Sequence, residues 1–480
     1  MPCTTILVGK KASFDGSTLM ARNEDSGAGK FEAKRFVAVS PEEQPRVYRS
    51  VISGVEIALP DAALRYTAMP NVLPHEGIWG AAGINSANVA MTATETLTSN
   101  PRVLGADPLV KGGIGEEDLV TLTLPYIRSA REGVLRLGKL HETYGTYEIN
   151  GIGFQDADEL WWFETVGGHH WIARRVPDDR YIVMPNRQGI DCLDLADAFG
   201  AGRENLCSAD LLEFITTNHL DRSLGRAGEA LKDNTAFDVR GAFGSRSDAD
   251  RSYNTPRAWS IFRRLSPSFC DWDHSVSPES FDLPWCLPPD RKITVEDIKE
   301  ALSDHYQGTP YDPYARHGDA AKRGMYRPVG VNRNNVLVLT QLRPDQPQER
   351  MALEWIALGS NVFNAMVPFY SNVSRTPDYF SYGEKTVSTD SMYWASRLLG
   401  ALADAHYPAC VQEIERYQAA VAAASWAMLR EQERGAGGAT REEFNQHVSD
   451  MVREKTDEVL QKVLYTASMG MKNAYSRSDG

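Results

Sequence analysis

The first 25 residues form a strand–turn–strand pattern around which the rest of the chain is arranged. Residues 4–8 are β-branched and apolar, as in a buried strand, and an apolar run resumes at 18–21. Asp15-Gly16 is a turn dipeptide, so the segment is predicted to be a β-hairpin. The register that such a turn favours places Cys3 opposite Asn23.

This hairpin would bring the thiol of Cys3 beside Arg22 and Asp25. A free thiol has a pKa of roughly 8.5 and is mostly protonated at neutral pH, whereas the thiolate is the nucleophile. Removal of Met1-Pro2 would free the α-amine of Cys3, which can take the thiol proton within one residue. Arg22 would then favour the thiolate, and Asp25 would orient the amine or the arginine. The alternative is a small apolar cysteine that starts a strand beside an unrelated surface arginine.

The rest of the sequence favours sheets covered by helices. Helical spacing covers residues 117–144 with a break at Pro125, and four strand-like segments then form a meander that ends at Met184. Strands, then helices, then strands indicate an α+β fold rather than alternating βαβ units. Beyond about residue 383 the pattern is helical, with a helix at 392–405 and a capping box at Thr440.

Composition excludes several classes of function. The chain has 51 Lys plus Arg against 64 Asp plus Glu, a net charge of −13, and no basic stripe, so nucleic acid is not an expected partner. It has no apolar run of about 18 residues and no signal-peptide pattern, so we expect no membrane span and a cytoplasmic location. Its six cysteines are then expected to stay reduced. With no Cys-x-x-Cys pair, and with His169-His170 predicted to point to opposite faces of a strand, we expect no metal or other cofactor.

Several motifs, in chain order, are similar to those of the dipeptidase A family. They lie at residues 3–11 (CTTILVGKK), 21–25 (ARNED), 79–85 (WGAAGIN), 253–257 (YNTPR) and 311–314 (YDPY). The members of this family are cysteine-type N-terminal nucleophile (Ntn) hydrolases related to penicillin V acylase and bile salt hydrolase. The resemblance covers nearly the whole chain. It implies an αββα sandwich of two antiparallel sheets, dipeptidase activity with Cys3 as nucleophile, and no cofactor.

The resemblance also implies three further site residues. Asn85, at the tip of a predicted hairpin, and Asn186, after the last strand of the meander, match active-site asparagines whose amides donate to the oxyanion. Arg257 matches a later active-site arginine, and a guanidinium there can bind a carboxylate of the site itself or of the substrate. The alternatives are turn or loop asparagines and a surface arginine.

The predicted domain organisation is a propeptide at 1–2, a catalytic core at 3–383 and a helical C-terminal extension at 384–480. The extension would pack on the core or on a sister subunit, and a homo-oligomer is expected. Trimming of Met1 still leaves Pro2 on the Cys3 amine. We therefore expect the Pro2–Cys3 bond to be cut, most simply by attack of Cys3 on the Pro2 carbonyl.

Together these features predict a cysteine peptidase that hydrolyses dipeptides through a thioester acyl-enzyme. One alternative is an acylase that uses the same site on a non-peptide amide, and turnover of dipeptides against acyl amides separates the two. The other alternative is a secernin-like binding protein that kept the fold without catalysis. Loss of hydrolysis in Cys3→Ser would argue against that alternative.

Overall fold

A computed structural model describes residues 3–27, 29–224, 231–383, 386–435 and 438–472, so the predicted propeptide at 1–2 lies outside it. The described strands are β1 (Cys3–Val8), β2 (Thr18–Asp25), β3 (Val37–Val39), β4 (Val47–Arg49), β5 (Glu56–Ala58), β6 (Tyr66–Ala68), β7 (Ala82–Ile84), β8 (Ala90–Thr92), β9 (Glu95–Leu97), β10 (Ile149–Gln155), β11 (Leu160–Val166), β12 (His170–Arg175), β13 (Tyr181–Met184), β14 (Asn205–Cys207), β15 (Asn334–Leu342), β16 (Ala352–Leu358) and β17 (Val367–Tyr370). The described α-helices are α1 (Pro101–Ala106), α2 (Leu119–Thr123), α3 (Ala130–Tyr144), α4 (Leu195–Ala198), α5 (Leu211–Thr217), α6 (Val239–Phe243), α7 (Thr255–Leu265), α8 (Val295–Ala301), α9 (Asp378–Ser381), α10 (Met392–Ala405), α11 (Tyr407–Glu433) and α12 (Arg441–Met469).

Most of the strands form two antiparallel sheets that face each other. The first sheet has the order β13-β1-β2-β15-β16-β17, and the second has the order β14-β12-β11-β10-β8-β7, with β9 also paired to β10. Two short pairs, β3–β6 and β4–β5, lie outside them. The β1–β2 hairpin therefore lies inside the first sheet, with β13 on one side and β15 on the other.

Three hydrophobic clusters fill the spaces between the layers of sheets and helices. Leu7 and Met20 of the first sheet pack with Trp162 of the second, between the sheets. Helices α2 and α3 cover the outer side of the second sheet in another cluster. Helix α7 and the C-terminal helices cover the outer side of the first sheet. The layers are helix, sheet, sheet, helix, so the predicted α+β class and αββα sandwich are confirmed.

Local signals set several helix ends. The predicted helix at 117–144 is two helices, because Pro125 follows α2 and lacks the backbone N–H that a continuing helix needs. Helix α3 begins after Ser129, whose side chain accepts from the Glu132 N–H, and ends at Gly145 with a φ of 67°. Helix α12 begins with the predicted capping box between Thr440 and Glu443.

The hairpin register differs by one residue from the prediction. Cys3 pairs with Glu24, not with Asn23. The connection between the strands is not a free tight turn, since the Gly9 amide donates to Arg180 O and Ser13 pairs with Ile293. These distant segments, rather than the Asp15-Gly16 dipeptide, set the register. A shift of one residue exchanges the faces of a strand, which decides what surrounds the thiol.

Two further expectations were wrong. Strand β13, the last of the predicted meander, leaves the second sheet and joins the first beside β1. His169 and His170 do not point apart, because His169 precedes β12 and strand alternation does not apply to it. Both Nδ1 atoms instead lie within hydrogen-bonding distance of Asp107, at 2.8 and 2.7 Å.

The C-terminal helices pack on the first sheet. Helix α12 contacts β17, and residues such as Ile414 and Val448 share a hydrophobic cluster with Ile356 of β16. The domain boundary at 383 stays a prediction. Residues 436 and 437, in the glycine-rich segment 435–438 that the sequence predicts to be a flexible linker, lie outside the described residues. Within the described ranges, no helix combines the length and apolar character needed to cross a bilayer.

Candidate active site

Cys3 starts β1 on the face that looks toward the second sheet, and it is fully buried. Strand β13 runs antiparallel to β1 with Met184 opposite Thr5, so Asn186 falls opposite Cys3. The backbone N of Cys3 accordingly donates to Asn186 Oδ1 at 3.0 Å. The strand order thus fixes the nucleophile candidate on both sides of its backbone.

Arg22 holds the thiol from the neighbouring strand. Because Cys3 pairs with Glu24, the side chains of Arg22 and Cys3 share the inner face of the sheet. Arg22 Nη2 lies 3.1 Å from Cys3 Sγ and donates at 2.6 Å to Thr94 O and to Glu116 Oε1. The prediction that Arg22 lies beside the thiol is therefore met, although through a different register.

The carboxylate of Glu24 fixes the other end of the guanidinium. Arg22 Nη1 donates to Glu24 Oε2 at 2.8 Å and to Ala81 O at 3.1 Å. The second oxygen of Glu24 binds the buried ammonium of Lys34. Although burial opposes ionisation, Lys34 and Arg22 lower the pKa of Glu24, so this carboxylate is ionised at neutral pH.

A strained backbone segment supports the same two cations. Trp79 and Ala81 have φ values of 53° and 52°, a conformation that costs a non-glycine residue about 1–3 kcal/mol. Their carbonyls accept from Lys34 Nζ at 2.8 Å and from Arg22 Nη1 at 3.1 Å. The two residues with strained backbone are therefore those whose carbonyls bind the cationic side chains of the site.

The thiol of Cys3 is neutral at rest. Burial raises its pKa well above the usual range, and the charge of Arg22 opposes this only in part, while Glu95 and Glu116 add to it. A thiol in this state needs a base that removes its proton when the substrate arrives.

Glu95 is a site residue that the sequence analysis missed. It starts β9, is fully buried, and accepts from Thr5 Oγ1 at 2.6 Å, while Asn186 Nδ2 lies 3.5 Å from its other oxygen. Burial raises its pKa to about 8, against the opposing effect of Arg22 and the Thr5 hydrogen bond. Glu95 thus carries a proton at neutral pH beside the nucleophile.

Arg257 ties the nucleophile strand to α7. All of its N–H groups are donated within the protein: Nη1 to Cys3 O and Thr4 Oγ1, Nη2 to Asn186 Oδ1 and Asn254 Oδ1, and Nε to Tyr253 O. Of the two roles considered for Arg257, the geometry supports the internal network and leaves no donor for a substrate carboxylate. The same network fixes the carbonyl end of the Asn186 amide.

Asn85 does not have the geometry of an oxyanion donor. Its Nδ2 donates to Leu124 O and Ile127 O at 2.8 Å each, so both of its hydrogens are used. Its Oδ1 accepts from the N–H groups of Ala87 and Val89. The side chain therefore closes the β7–β8 turn and ties it to the segment that follows α2, which is the turn role considered as the alternative.

Asp25 lies on the opposite face of β2 from the thiol. Its carboxylate binds Arg327 and accepts from Asn334 Nδ2. The predicted position beside Cys3 was wrong for the same reason as the register, since residue 25 alternates with residue 24. Asp25 joins the end of β2 to the segment that precedes β15.

Three residues of the site, Glu24, Glu95 and Glu116, were not predicted, because their signals in the sequence are weak. Glu24 and Glu95 are carboxylates on buried strands, where a charged side chain needs a partner. Glu116 lies outside every strand and helix described, between β9 and α2. Only the packed sheets bring these three residues to Arg22 and Cys3.

Comparisons with known proteins give one consistent result. The sequence model described as Peptidase family C69 matches residues 2–420. The chain is 52% identical to "Probable dipeptidase A" of Streptococcus pyogenes serotype M3 (strain SSI-1), over 100% of both chains. It is 48% identical to "Dipeptidase" of Bifidobacterium longum (strain NCC 2705), again over 100% of both. It is 47% identical to "Dipeptidase A" of Lactobacillus helveticus, over 84% of this chain and 82% of that protein.

Proposed function

The protein belongs to peptidase family C69 and is a dipeptidase, and we propose that the Cys3 thiol is its nucleophile and forms a thioester acyl-enzyme. The observation that carries the proposal is the 3.1 Å contact between Arg22 Nη2 and Cys3 Sγ in a fully buried site. A fixed guanidinium stabilises a thiolate as it forms, and exclusion of water strengthens that interaction.

The base in this proposal is the α-amine of Cys3. Such an amine has a pKa of roughly 7.7–8.0 and is partly unprotonated at neutral pH. It can take the thiol proton as Sγ attacks the peptide carbonyl. The backbone N of Cys3 lies 3.0 Å from Asn186 Oδ1, so Asn186 would hold the amine in place.

Formation of that amine requires cleavage of the Pro2–Cys3 bond. We propose that Cys3 Sγ attacks the Pro2 carbonyl, so that the acyl group moves from nitrogen to sulfur and the nitrogen becomes the free amine. Water then hydrolyses the thioester and releases the Met1-Pro2 segment as its carboxylic acid. Residues 1 and 2 lie outside the described structure, and this step rests on the chemistry of residue 3.

The catalytic cycle repeats that chemistry on a dipeptide. Sγ adds to the scissile carbonyl, and Nδ2 of Asn186 is the donor that we assign to the oxyanion. The amine returns its proton to the leaving amino acid, and water then hydrolyses the thioester with the amine again as base. Asn85 has no part in this cycle, because both of its donor hydrogens are used elsewhere.

Intact mass and dipeptide turnover test the proposal together. Wild-type protein should have the mass of a chain that starts at Cys3 and should hydrolyse dipeptides. Cys3→Ala should keep Pro2 and have no activity above background. Cys192→Ala, at a half-buried cysteine, is the matched control and should be processed and active. Active wild-type enzyme that retains Pro2 would rule out the amine as base, and an active Cys3→Ala would rule out the nucleophile.

Neither alternative function is favoured, since the relatives quoted above carry dipeptidase names. Hydrolysis of unblocked dipeptides in preference to acyl amides would exclude the acylase alternative. Inactivity of the fully processed protein would instead revive the secernin-like alternative. A cytoplasmic location and a homo-oligomeric assembly stay predictions, and analytical ultracentrifugation tests the second.

A further inference from the structure

A dipeptidase must recognise a carboxylate very near its nucleophile, and this inference rests on the proposed function. In a dipeptide only the nitrogen and the second Cα lie between the scissile carbonyl carbon and the carboxylate carbon. Standard bond lengths place the two carbons within about 4 Å of each other. The group that binds the carboxylate must therefore adjoin the residues that hold Cys3.

The arginines already assigned to the site are occupied. Arg22 binds Glu24 and Glu116, and its remaining Nη donors go to backbone carbonyls and to Cys3 Sγ. Arg257 has donated all of its N–H groups, and Arg327 binds Asp25. Binding of a substrate carboxylate to any of the three would break an existing contact.

Arg187 differs from these arginines in its partners. It follows Asn186 in the chain, and its Nη1 donates to Thr255 Oγ1 at 3.2 Å, beside the Asn254–Arg257 network. Its Nη2 donates to Phe281 O at 3.3 Å. Across the residues with described positions, no carboxylate oxygen lies within 4.0 Å of its guanidinium nitrogens. Arg187 is thus a buried cation whose hydrogen bonds go to neutral oxygens.

A second arginine makes the position more cationic. Arg240 Nη1 donates to the same oxygen, Phe281 O, at 3.3 Å, and also to Leu283 O at 2.7 Å. Burial and, to a smaller extent, the charge of Arg240 lower the pKa of Arg187 to about 9, while the more distant carboxylates of Asp250, Asp282 and Glu164 oppose this shift. Two desolvated guanidinium groups this close repel each other, and an anion bound between them and the nucleophile would relieve the repulsion.

The same end of the site reaches solvent. Cys3 is 0% exposed, whereas Asn186 and Arg187 are 9% and 7% exposed. Asn254 also joins these residues, since its Nδ2 donates to Asn186 O at 2.8 Å. Residues 186 and 187 are therefore more exposed to solvent than the nucleophile that they adjoin.

We propose that Arg187 binds the terminal carboxylate of the dipeptide substrate and thereby selects peptides with a free carboxyl end. Arg240 raises the positive potential behind it. A guanidinium is suited to this role because it can hold both carboxylate oxygens in one plane. Binding at this position would limit the product side of the scissile bond to a single residue.

The test compares alanyl-alanine with alanyl-alanine amide, which lacks the charge. Wild-type enzyme should show a kcat/KM about 10- to 100-fold higher for the free acid, as expected for a charge-assisted hydrogen-bonded pair. In Arg187→Gln this preference should fall to near 1, through a much larger rise of KM for the acid than for the amide. Arg187→Lys, which keeps the charge without the planar pair of donors, should lie between the two. Arg246→Gln removes an exposed arginine near Phe281 and should keep the wild-type preference.

Three results would overturn the assignment. Equal wild-type rates on the acid and the amide would refute it while leaving dipeptidase function intact. Equal losses on both substrates in Arg187→Gln and Arg187→Lys would show a positioning role instead. If Arg187→Gln does not fold, the ratio of kcat/KM for the acid to kcat/KM for the amide, measured in the wild type and in Arg187→Lys, still tests the assignment. Absence of any dipeptide hydrolysis by processed wild-type enzyme would instead refute the proposed function, and this assignment with it.

Discussion

Glu95→Gln should change the pH dependence of the enzyme in a calculable way. Glu95 is fully buried beside the nucleophile strand, and Thr5 Oγ1 donates to its carboxyl at 2.6 Å. Burial raises its pKa to about 8. A glutamine keeps the shape and can still accept from Thr5, but it cannot ionise. The substitution therefore isolates the effect of one negative charge.

The magnitude follows from that pKa. A carboxyl with a pKa of about 8 is roughly 90% protonated at pH 7 and roughly 10% protonated at pH 9. Ionised Glu95 adds a negative charge to the buried site in which Cys3 must become a thiolate, and this disfavours the thiolate. If only the protonated form reacts, ionisation of Glu95 by itself lowers wild-type kcat/KM about tenfold between pH 7 and pH 9, opposing the rise that deprotonation of the Cys3 amine brings to both enzymes. The variant should match the wild type at pH 7 and exceed it about tenfold at pH 9.

The assay is kcat/KM for alanyl-alanine from pH 6 to pH 9.5, with circular dichroism at each pH to verify folding. Glu354→Gln is the matched control, because Glu354 is equally buried on β16, its pKa is also raised to about 8, and it lies outside the site. Glu354→Gln should leave the alkaline limb of the kcat/KM–pH profile unchanged. An alkaline limb in Glu95→Gln that parallels the wild type would refute the role assigned to Glu95.

Two predictions concern stability. Asn85→Ala removes two donors to buried carbonyls, so it should lower the free energy of unfolding by about 2–4 kcal/mol in urea titrations. It should leave kcat within about threefold, and a loss of about 10²–10³ would restore the oxyanion role. Glu354 has a folded-state pKa of about 8, above its unfolded value, so its stabilising contribution is complete below about pH 4 and is lost as pH rises through 8. Glu354→Gln should therefore gain about 4 kcal/mol relative to wild type between pH 5 and pH 8.5, and parallel stability curves would contradict this.

Features that depend on neighbours in sequence were predictable. The strand at the amino terminus, the break at Pro125 and the capping box at Thr440 follow from local chemistry and match the structure. Helix α10 has the predicted bounds, Met392–Ala405. In each case the residues that determine the element lie within it or next to it.

Features set by distant contacts were not predictable from the same reasoning. The hairpin register depends on the contacts of Gly9 with Arg180 and of Ser13 with Ile293. Glu95 lies in the site only because its strand packs against Thr5 of the opposite sheet, which no local pattern indicates. Asn85 was assigned from a motif, whereas its amide is consumed by carbonyls about 40 residues further along the chain. The resemblance located the site, but only the packed sheets show which atoms meet there.

The position of the nucleophile at the start of a central strand links chemical competence to the completion of folding. The backbone of Cys3 is held by partners 183 and 254 residues away in the chain. Contacts of such long sequence separation form late, because loop closure must be paid for first. Until both distant segments dock, residue 3 is an ordinary thiol on a partly folded chain. Self-cleavage before Cys3 would thus serve as a built-in checkpoint, releasing peptidase activity only from molecules whose whole core has assembled.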